Sequence, residues 1–186
     1  PNRGILKDGS IISRDWNNPG IWIQHSFDSR LINISVFSEI SQGVRIISSD
    51  DLIISKCILE SVNSHGLYIE NSKGLIFIEN QIKTHEGNSY SFFSDQRSNS
   101  NSYYANKITG SPIHFQVELE WYSISYKGLT DQILPPNNTL NGKPIRYFNG
   151  VDLAHGPVPD GSQYFFVNCS NLTLKGSKVV DNQNKI

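Results

Sequence analysis

The feature that most constrains this chain is an interval of 23 residues. Cutting at Gly20, Gly43, Gly66 and Ser89 aligns four openings: Gly20-Ile21-Trp22-Ile23, Gly43-Val44-Arg45-Ile46, Gly66-Leu67-Tyr68-Ile69 and Ser89-Tyr90-Ser91-Phe92. One further step reaches Pro112-Ile113-His114-Phe115. Each opening alternates apolar, variable, apolar, which is the period of a strand with one buried face. A polar turn and a second strand follow, as in Ser48-Ser49-Asp50-Asp51 before Leu52-Ile53-Ile54 and Asn71-Ser72-Lys73-Gly74 before Leu75-Ile76-Phe77-Ile78. A third, shorter segment closes the unit: Asn80-Gln81-Ile82, Asn106-Lys107-Ile108 and Ser177-Lys178-Val179. Three short strands and three turns per interval describe one rung of a parallel β-helix, an all-β solenoid. An antiparallel sandwich offers no reason for a fixed interval or for recurring turn residues.

Two stretches break the rhythm. The polar run Ser94–Asn101 is read as a bulge of about three extra residues, and the Pro-, Gly- and Asn-rich stretch from about 135 to 160 as an inserted loop. Residues 1–186 are otherwise taken as one β-helix domain. Methionine is absent and the chain opens Pro1-Asn2-Arg3, so we expect a processed or excised segment of a larger protein, its solenoid ends covered by adjoining rungs or domains.

Charge narrows the function classes. Sixteen Lys and Arg against 17 Asp and Glu leave a net charge of -1, without the basic footprint of a nucleic-acid binder. No apolar run reaches the roughly 18 residues of a membrane-spanning helix. Cys57 and Cys169 form no CxxC pair and read as free thiols or small core residues, with their pairing left open. His25, His65, His85, His114 and His155 are scattered without ligand spacing, so neither a metal nor another cofactor is expected.

Stacking the intervals places Trp22, Arg45, Tyr68, Ser91 and His114 in one outward column. Gln24, Ile47, Glu70, Phe93 and Gln116 fall in a second, with rungs about 4.8 Å apart. Aromatic rings interleaved with planar polar groups suit an extended polysaccharide, although the same stacks also stabilise sheets. The candidate ligand face is therefore Trp22, Gln24, Arg45, Tyr68, Glu70, Phe93, His114 and Gln116. For an enzyme, Glu70 beside Arg45 is the candidate acid or base; Asp50-Asp51 and Glu118/Glu120 are further carboxylate clusters. Asn33, Asn137, Asn168 and Asn171 head Asn-x-Ser/Thr triplets, candidate glycosylation sites in an exported protein.

The units Asn71-Ser72-Lys73-Gly74-Leu75-Ile76-Phe77 and Asn168-Cys169-Ser170-Asn171-Leu172-Thr173-Leu174 resemble the right-handed parallel β-helix repeats of the NosD-like and carbohydrate-binding/sugar-hydrolase (CASH-type) families, which implies a right-handed parallel β-helix here. The stretch Asn138-Thr139-Leu140-Asn141-Gly142-Lys143-Pro144-Ile145-Arg146-Tyr147 is similar to a segment of such repeats in archaeal cell-surface proteins. The resemblance spans most of residues 20–184 and implies fold, not chemistry, since no catalytic signature of the family's enzymes can be placed on these residues. It implies an extracellular or cell-surface β-helix module with a structural or carbohydrate-recognition role. The alternatives are a polysaccharide lyase, hydrolase or epimerase, and a viral or phage adhesin.

Overall fold

A computed structural model describes residues 3–85, 90–95, 97–116, 118–120, 123–125, 130–154 and 158–171. The first rungs follow the alternation. β1 (Ile5–Ser13), β2 (Ile21–Gln24) and β3 (Arg30–Ser38) open the coil. β4 (Val44–Ile47), β5 (Ile53–Ser55) and β6 (Ile58–Ser61) make the next turn, and β7 (Leu67–Glu70), β8 (Ile76–Ile78) and β9 (Gln81–Thr84) the one after. β10 (Phe92–Ser94), β11 (Ser102–Tyr104), β12 (Lys107–Thr109) and β13 (Ile113–Phe115) continue it. The chain is a parallel β-solenoid of about 5 turns with about 23 residues per turn.

One wall is the five-stranded parallel sheet β13-β10-β7-β4-β2. The other two walls meet in the long strand β3, whose Arg30–Ile32 pairs with β5 and whose Ser35–Ser38 pairs with β6. Side chains facing inward form continuous stacks: Leu31, Ile54, Phe77 and Tyr103 on one wall; Val36, Leu59, Ile82 and Ile108 on the next; Val44, Leu67, Phe92 and Ile113 on the third. All are buried.

Corners are built by left-handed residues recurring with the rungs. His25, Ser48 and Asn71 form one such column, and Asn33, Lys56, Glu79 and Ala105 another, with φ between 46° and 56°. This conformation costs an ordinary L-residue roughly 1 kcal/mol, whereas Asn adopts it readily. Ala105→Asn is therefore expected to raise stability by about 0.5–1 kcal/mol, read as a higher urea midpoint with unchanged slope.

Two polar ladders run inside the corners. Ser26, Ser49 and Ser72 each donate their backbone N–H to the hydroxyl of Ser49, Ser72 and Ser98 one rung on, at 3.1, 3.1 and 3.2 Å. Cys57, Asn80 and Asn106 do the same to the side-chain oxygens of Asn80, Asn106 and Asn138, at 2.9–3.0 Å. The amide nitrogens of Asn80, Asn106 and Asn138 donate to the carbonyls of Ile54, Phe77 and Tyr103. These corner side chains thus bond backbone groups of the neighbouring rungs that would otherwise be buried without partners.

The breaks in rhythm differ from the sequence expectation in three respects. Leu67 pairs with Phe92, not with Tyr90, so the rung step lengthens there to 25 residues. Most of the extra length precedes β10; within Ser94–Asn101, Ser98 continues the serine ladder and Asn101 is buried. The larger excursion opens soon after β13: β14 (Glu118–Glu120) and β15 (Ser123–Ser125) pair antiparallel, and the chain rejoins the coil where Ile133 bridges Ser102.

The third difference concerns the stretch 135–160, which is not simply a loop. β16 (Thr139–Leu140) pairs parallel to β12, then turns through Asn141 and Gly142, both at positive φ, into β17 (Lys143–Asn149). β18 (Gln163–Val167) adds parallel to β17. The expected segments Leu172-Thr173-Leu174 and Ser177-Lys178-Val179 lie outside the described residues. No helix among the described residues is long and apolar enough to cross a membrane.

Candidate functional site

The five-stranded wall carries the proposed ligand face, and its register fixes the column. Trp22 pairs with Arg45, Arg45 with Tyr68, Tyr68 with Phe93 and Phe93 with His114. Phe93 therefore leaves the second column for the first, and Ser91, expected there, is fully buried at the corner. Its hydroxyl meets Thr84 Oγ1 at 2.8 Å and donates to the Thr109 carbonyl at 3.1 Å. Gln24, Ile47 and Glu70 hold the second column as expected, and the backbone N–H of Asp95, not of Phe93, donates to Ile69 as the next member. The N–H of Gln116 donates in turn to Ser94.

The column is a continuous stack. The Arg45 guanidinium carbon lies 5.5 Å from the Trp22 ring centre and 5.3 Å from that of Tyr68. Tyr68 and Phe93 stack at 5.0 Å and 7°, and Phe93 and His114 at 5.4 Å and 19°. Beside it runs a second pair that sequence reading did not single out for this face: His65 and Tyr90 stack at 6.0 Å, and Tyr90 stacks on His114 at 4.5 Å. Both residues immediately precede the corner position of Gly66 and Ser91, a recurrence visible only once the true register is known.

This packing decides what the face can present. Tyr68 and Phe93 each have a neighbour on both flat sides, so those faces are engaged within the stack. Trp22 and His114 end the row on the two edge strands of the sheet, and Trp22 is 50% exposed.

Glu70 is held on both oxygens. Arg45 Nη2 lies 3.3 Å from Oε2, and Arg97 Nη2 3.7 Å from Oε1. Arg97, another residue not singled out from sequence, also meets Asp95 Oδ2 at 3.3 Å. Asp95 Oδ1 accepts the Asn71 N–H at 3.0 Å and the Ser98 hydroxyl at 2.6 Å. A general acid or base needs an oxygen open to the substrate. Here both carboxylates pair with arginines of the wall, and Glu70 keeps 27% of its side chain exposed.

Of the other carboxylate clusters, Asp50 lines a small cavity together with Arg97. Asp51 occupies a left-handed corner, and Asp50 pairs with Lys73 at 3.9 Å. Glu118 and Glu120 lie on β14 in the excursion. Asn33 Nδ2 donates to Asp8 at 2.8 Å and Asn171 Nδ2 to Asp152 at 2.9 Å, while Asn137 Oδ1 accepts the Ala105 N–H. Asn168 shares with Asn33 and Asn171 the left-handed conformation of a corner. Cys57 and Cys169 are free thiols, and burial pushes that of Cys57 up.

Burial lowers the pKa of His65, with His114 nearby adding to the effect and the Tyr90 carbonyl opposing it more weakly. Burial lowers His114 likewise. For a base depressed in the fold, the unfolded chain takes up protons first, so stability is full above about pH 6.5 and falls as pH drops below it. We expect the urea midpoint to decrease from about pH 7 to about pH 5, and the double substitution His65→Gln, His114→Gln to flatten part of that decrease.

Among the described residues no group of three His, Cys, Asp or Glu is arranged to hold a metal ion. Searches against family models, curated proteins and solved structures find no match to this chain.

Proposed function

We propose that this chain is an extracellular β-solenoid module of a cell-surface protein that recognises an extended polysaccharide along the Trp22–His114 wall and does not turn it over. The observation that carries the reading is the unbroken row Trp22, Arg45, Tyr68, Phe93 and His114, flanked by Gln24, Glu70 and Gln116. Because the inner rings stack on one another, they act as a stiff rail. Recognition then rests on the half-exposed Trp22 ring and on hydrogen bonds from the polar groups lining the rail. Rigidity limits the ordering cost of binding. The double pairing of Glu70 supports binding in preference to hydrolysis or elimination.

A polysaccharide array followed by calorimetry tests this. One polymer class is expected to bind without release of reducing ends or unsaturated products. Trp22→Ala is expected to weaken binding at least tenfold, about 1.4 kcal/mol, whereas Lys83→Ala on another wall leaves it unchanged. Absence of binding across the array overturns the reading, and turnover abolished by Glu70→Gln replaces it with the enzyme.

A further inference from the structure

A polar cavity of about 190 Å³ opens at the corner that follows the five-stranded wall. Ser48, Asp50, Asn71, Ser72, Lys73 and Arg97 line it, and they come from the successive rungs of β4, β7 and β10. In that sheet β2 lies beyond these rungs on one side and β13 on the other. The cavity begins one residue past the second column, since Ser48 follows Ile47 and Asn71 follows Glu70. From the row of Arg45 and Tyr68 the offset is three residues, about 10 Å at roughly 3.3 Å each. The cavity therefore lies beside the rail.

The coil holds the frame of this cavity in place. Backbone bridges join Asp50 to Lys73 and Lys73 to Asn99. Ser72 sits in the serine ladder, accepting the Ser49 N–H and donating its own N–H to Ser98. Arg97 is clamped between Asp95 and Glu70, at 3.3 and 3.7 Å. A frame ordered in advance lowers the cost of binding.

The groups offered there are mixed. The Asn71 amide donates to Ser48 Oγ at 3.1 Å, which leaves the Ser48 proton to donate and Asn71 Oδ1 to accept. Asp50 Oδ1 accepts the Lys73 N–H at 3.3 Å, while Oδ2 stands 3.9 Å from the Lys73 ammonium, beyond hydrogen-bond reach. Donors thus come from Ser48, Lys73 and Arg97, and acceptors from Asp50 and Asn71. An anion only accepts, and would meet the Asp50 carboxylate; a cation would meet Lys73 and Arg97. A hydroxyl does both, so a neutral ligand with several hydroxyls answers the whole set. The volume is below the roughly 300 Å³ at which drug-sized pockets begin, and suits one ring.

We propose that this cavity receives a single neutral sugar ring, carried as a side branch by the polysaccharide on the rail. The branch rests on the rail reading above, because the sideways offset puts the ring off the line of the main chain. The polymer recognised is then branched, with neutral hexose side groups.

Methyl glycosides of glucose, galactose and mannose serve as probes. In an NMR titration one of them is expected to shift the backbone amides of Ser48, Asn71 and Lys73 saturably, with half-saturation at about 1–10 mM and Trp22 unmoved. Lys73→Ala, at a side chain 65% exposed, is expected to weaken this roughly fivefold. Ser48→Gly removes the hydroxyl while suiting the left-handed backbone, and is expected to do the same. Trp22→Ala should leave it unchanged. Among polymers on the array, Asp50→Ala is expected to weaken a branched one roughly fivefold and its debranched form not at all. Three results would each overturn the proposal: no saturable shift at about 100 mM glycoside, equal binding in both cavity variants, or tighter binding of sulfate or a methyl glucuronide. The two readings fail separately. Polymer binding that responds to Trp22→Ala but not to Asp50→Ala would overturn the cavity and leave the rail. Glycoside bound at the cavity beside a silent array would support the cavity and overturn the rail.

Discussion

Replacing Asn106 by Leu is expected to lower unfolding free energy by about 3 kcal/mol, the largest effect of any single polar side chain described. Asn106 is 1% exposed and sits at the middle of the asparagine ladder. Its Oδ1 accepts from both the backbone N–H and the amide of Asn80, each at 3.0 Å. Its amide nitrogen donates to the Phe77 carbonyl and to Asn138 Oδ1, each also at 3.0 Å. Leucine of similar volume leaves the Asn80 N–H without this acceptor, and Phe77 and Asn138 each lose a donor. A buried N–H without a partner costs about 1–3 kcal/mol, and each lost bond adds about 1. Unfolding in urea should therefore shift to a clearly lower midpoint, and the thermal midpoint should fall by roughly 10 °C. Asn137→Ala is the matched control. That side chain is exposed and accepts the Ala105 N–H and, at a longer 3.4 Å, the Asn138 amide, so a loss below about 1 kcal/mol is expected. Equal losses at the two positions would mean that the ladder does not organise the corner.

The same residues show what the sequence does and does not disclose. The coil is legible because glycine marks three corners at equal intervals and the following residues alternate strictly. The fourth corner replaces that mark with Ser91, and the rung step there is longer. A shift by two residues preserves the alternation of inward and outward side chains, so the apolar pattern cannot reveal it. This is why Ser91 was placed outside and Phe93 one column away from its position. The asparagine ladder was half visible, in Asn80 and Asn106 opening the third strands. Asn138 follows at a distance of 32 residues because of the intervening hairpin, and no fixed interval reaches it. The outward column of the ligand face was legible as a set of residues, but ring stacking was not, since it depends on side-chain rotamers and on rung spacing. Arg97 was hidden for another reason. It lies in the polar run read as a bulge, and only the folded wall brings it to Glu70.

Gly43→Ala is expected to destabilise the chain by about 2–3 kcal/mol, although nothing in the conformation of Gly43 demands glycine. Its φ is not left-handed, so the cost is one of contact alone. A methyl group there would lie 2.6 Å from the Gly66 carbonyl oxygen, and 3.1 and 3.3 Å from the backbone O and N of Glu60. All three neighbours are backbone atoms of adjoining strands or corners, so they can move only by separating the rungs. Any such separation also stretches the bond from the Gly43 N–H to the His65 carbonyl, now 2.9 Å. Ser91 shows the condition under which a side chain is admitted at this corner. There the step is longer, and the hydroxyl finds partners in Thr84 and Thr109. Gly142→Ala separates the two origins of glycine cost. Gly142 has φ of 81° and no atom within 4 Å of an added methyl, so its penalty is conformational, about 1 kcal/mol, and Asn should relieve it. At Gly43 Asn should be no better than Ala, because the obstacle is the neighbouring rung. Urea unfolding of the four variants measures both contrasts. A loss below about 0.5 kcal/mol for Gly43→Ala would show that the rungs yield at this corner, and with it that the wall is too compliant to hold a rigid recognition rail.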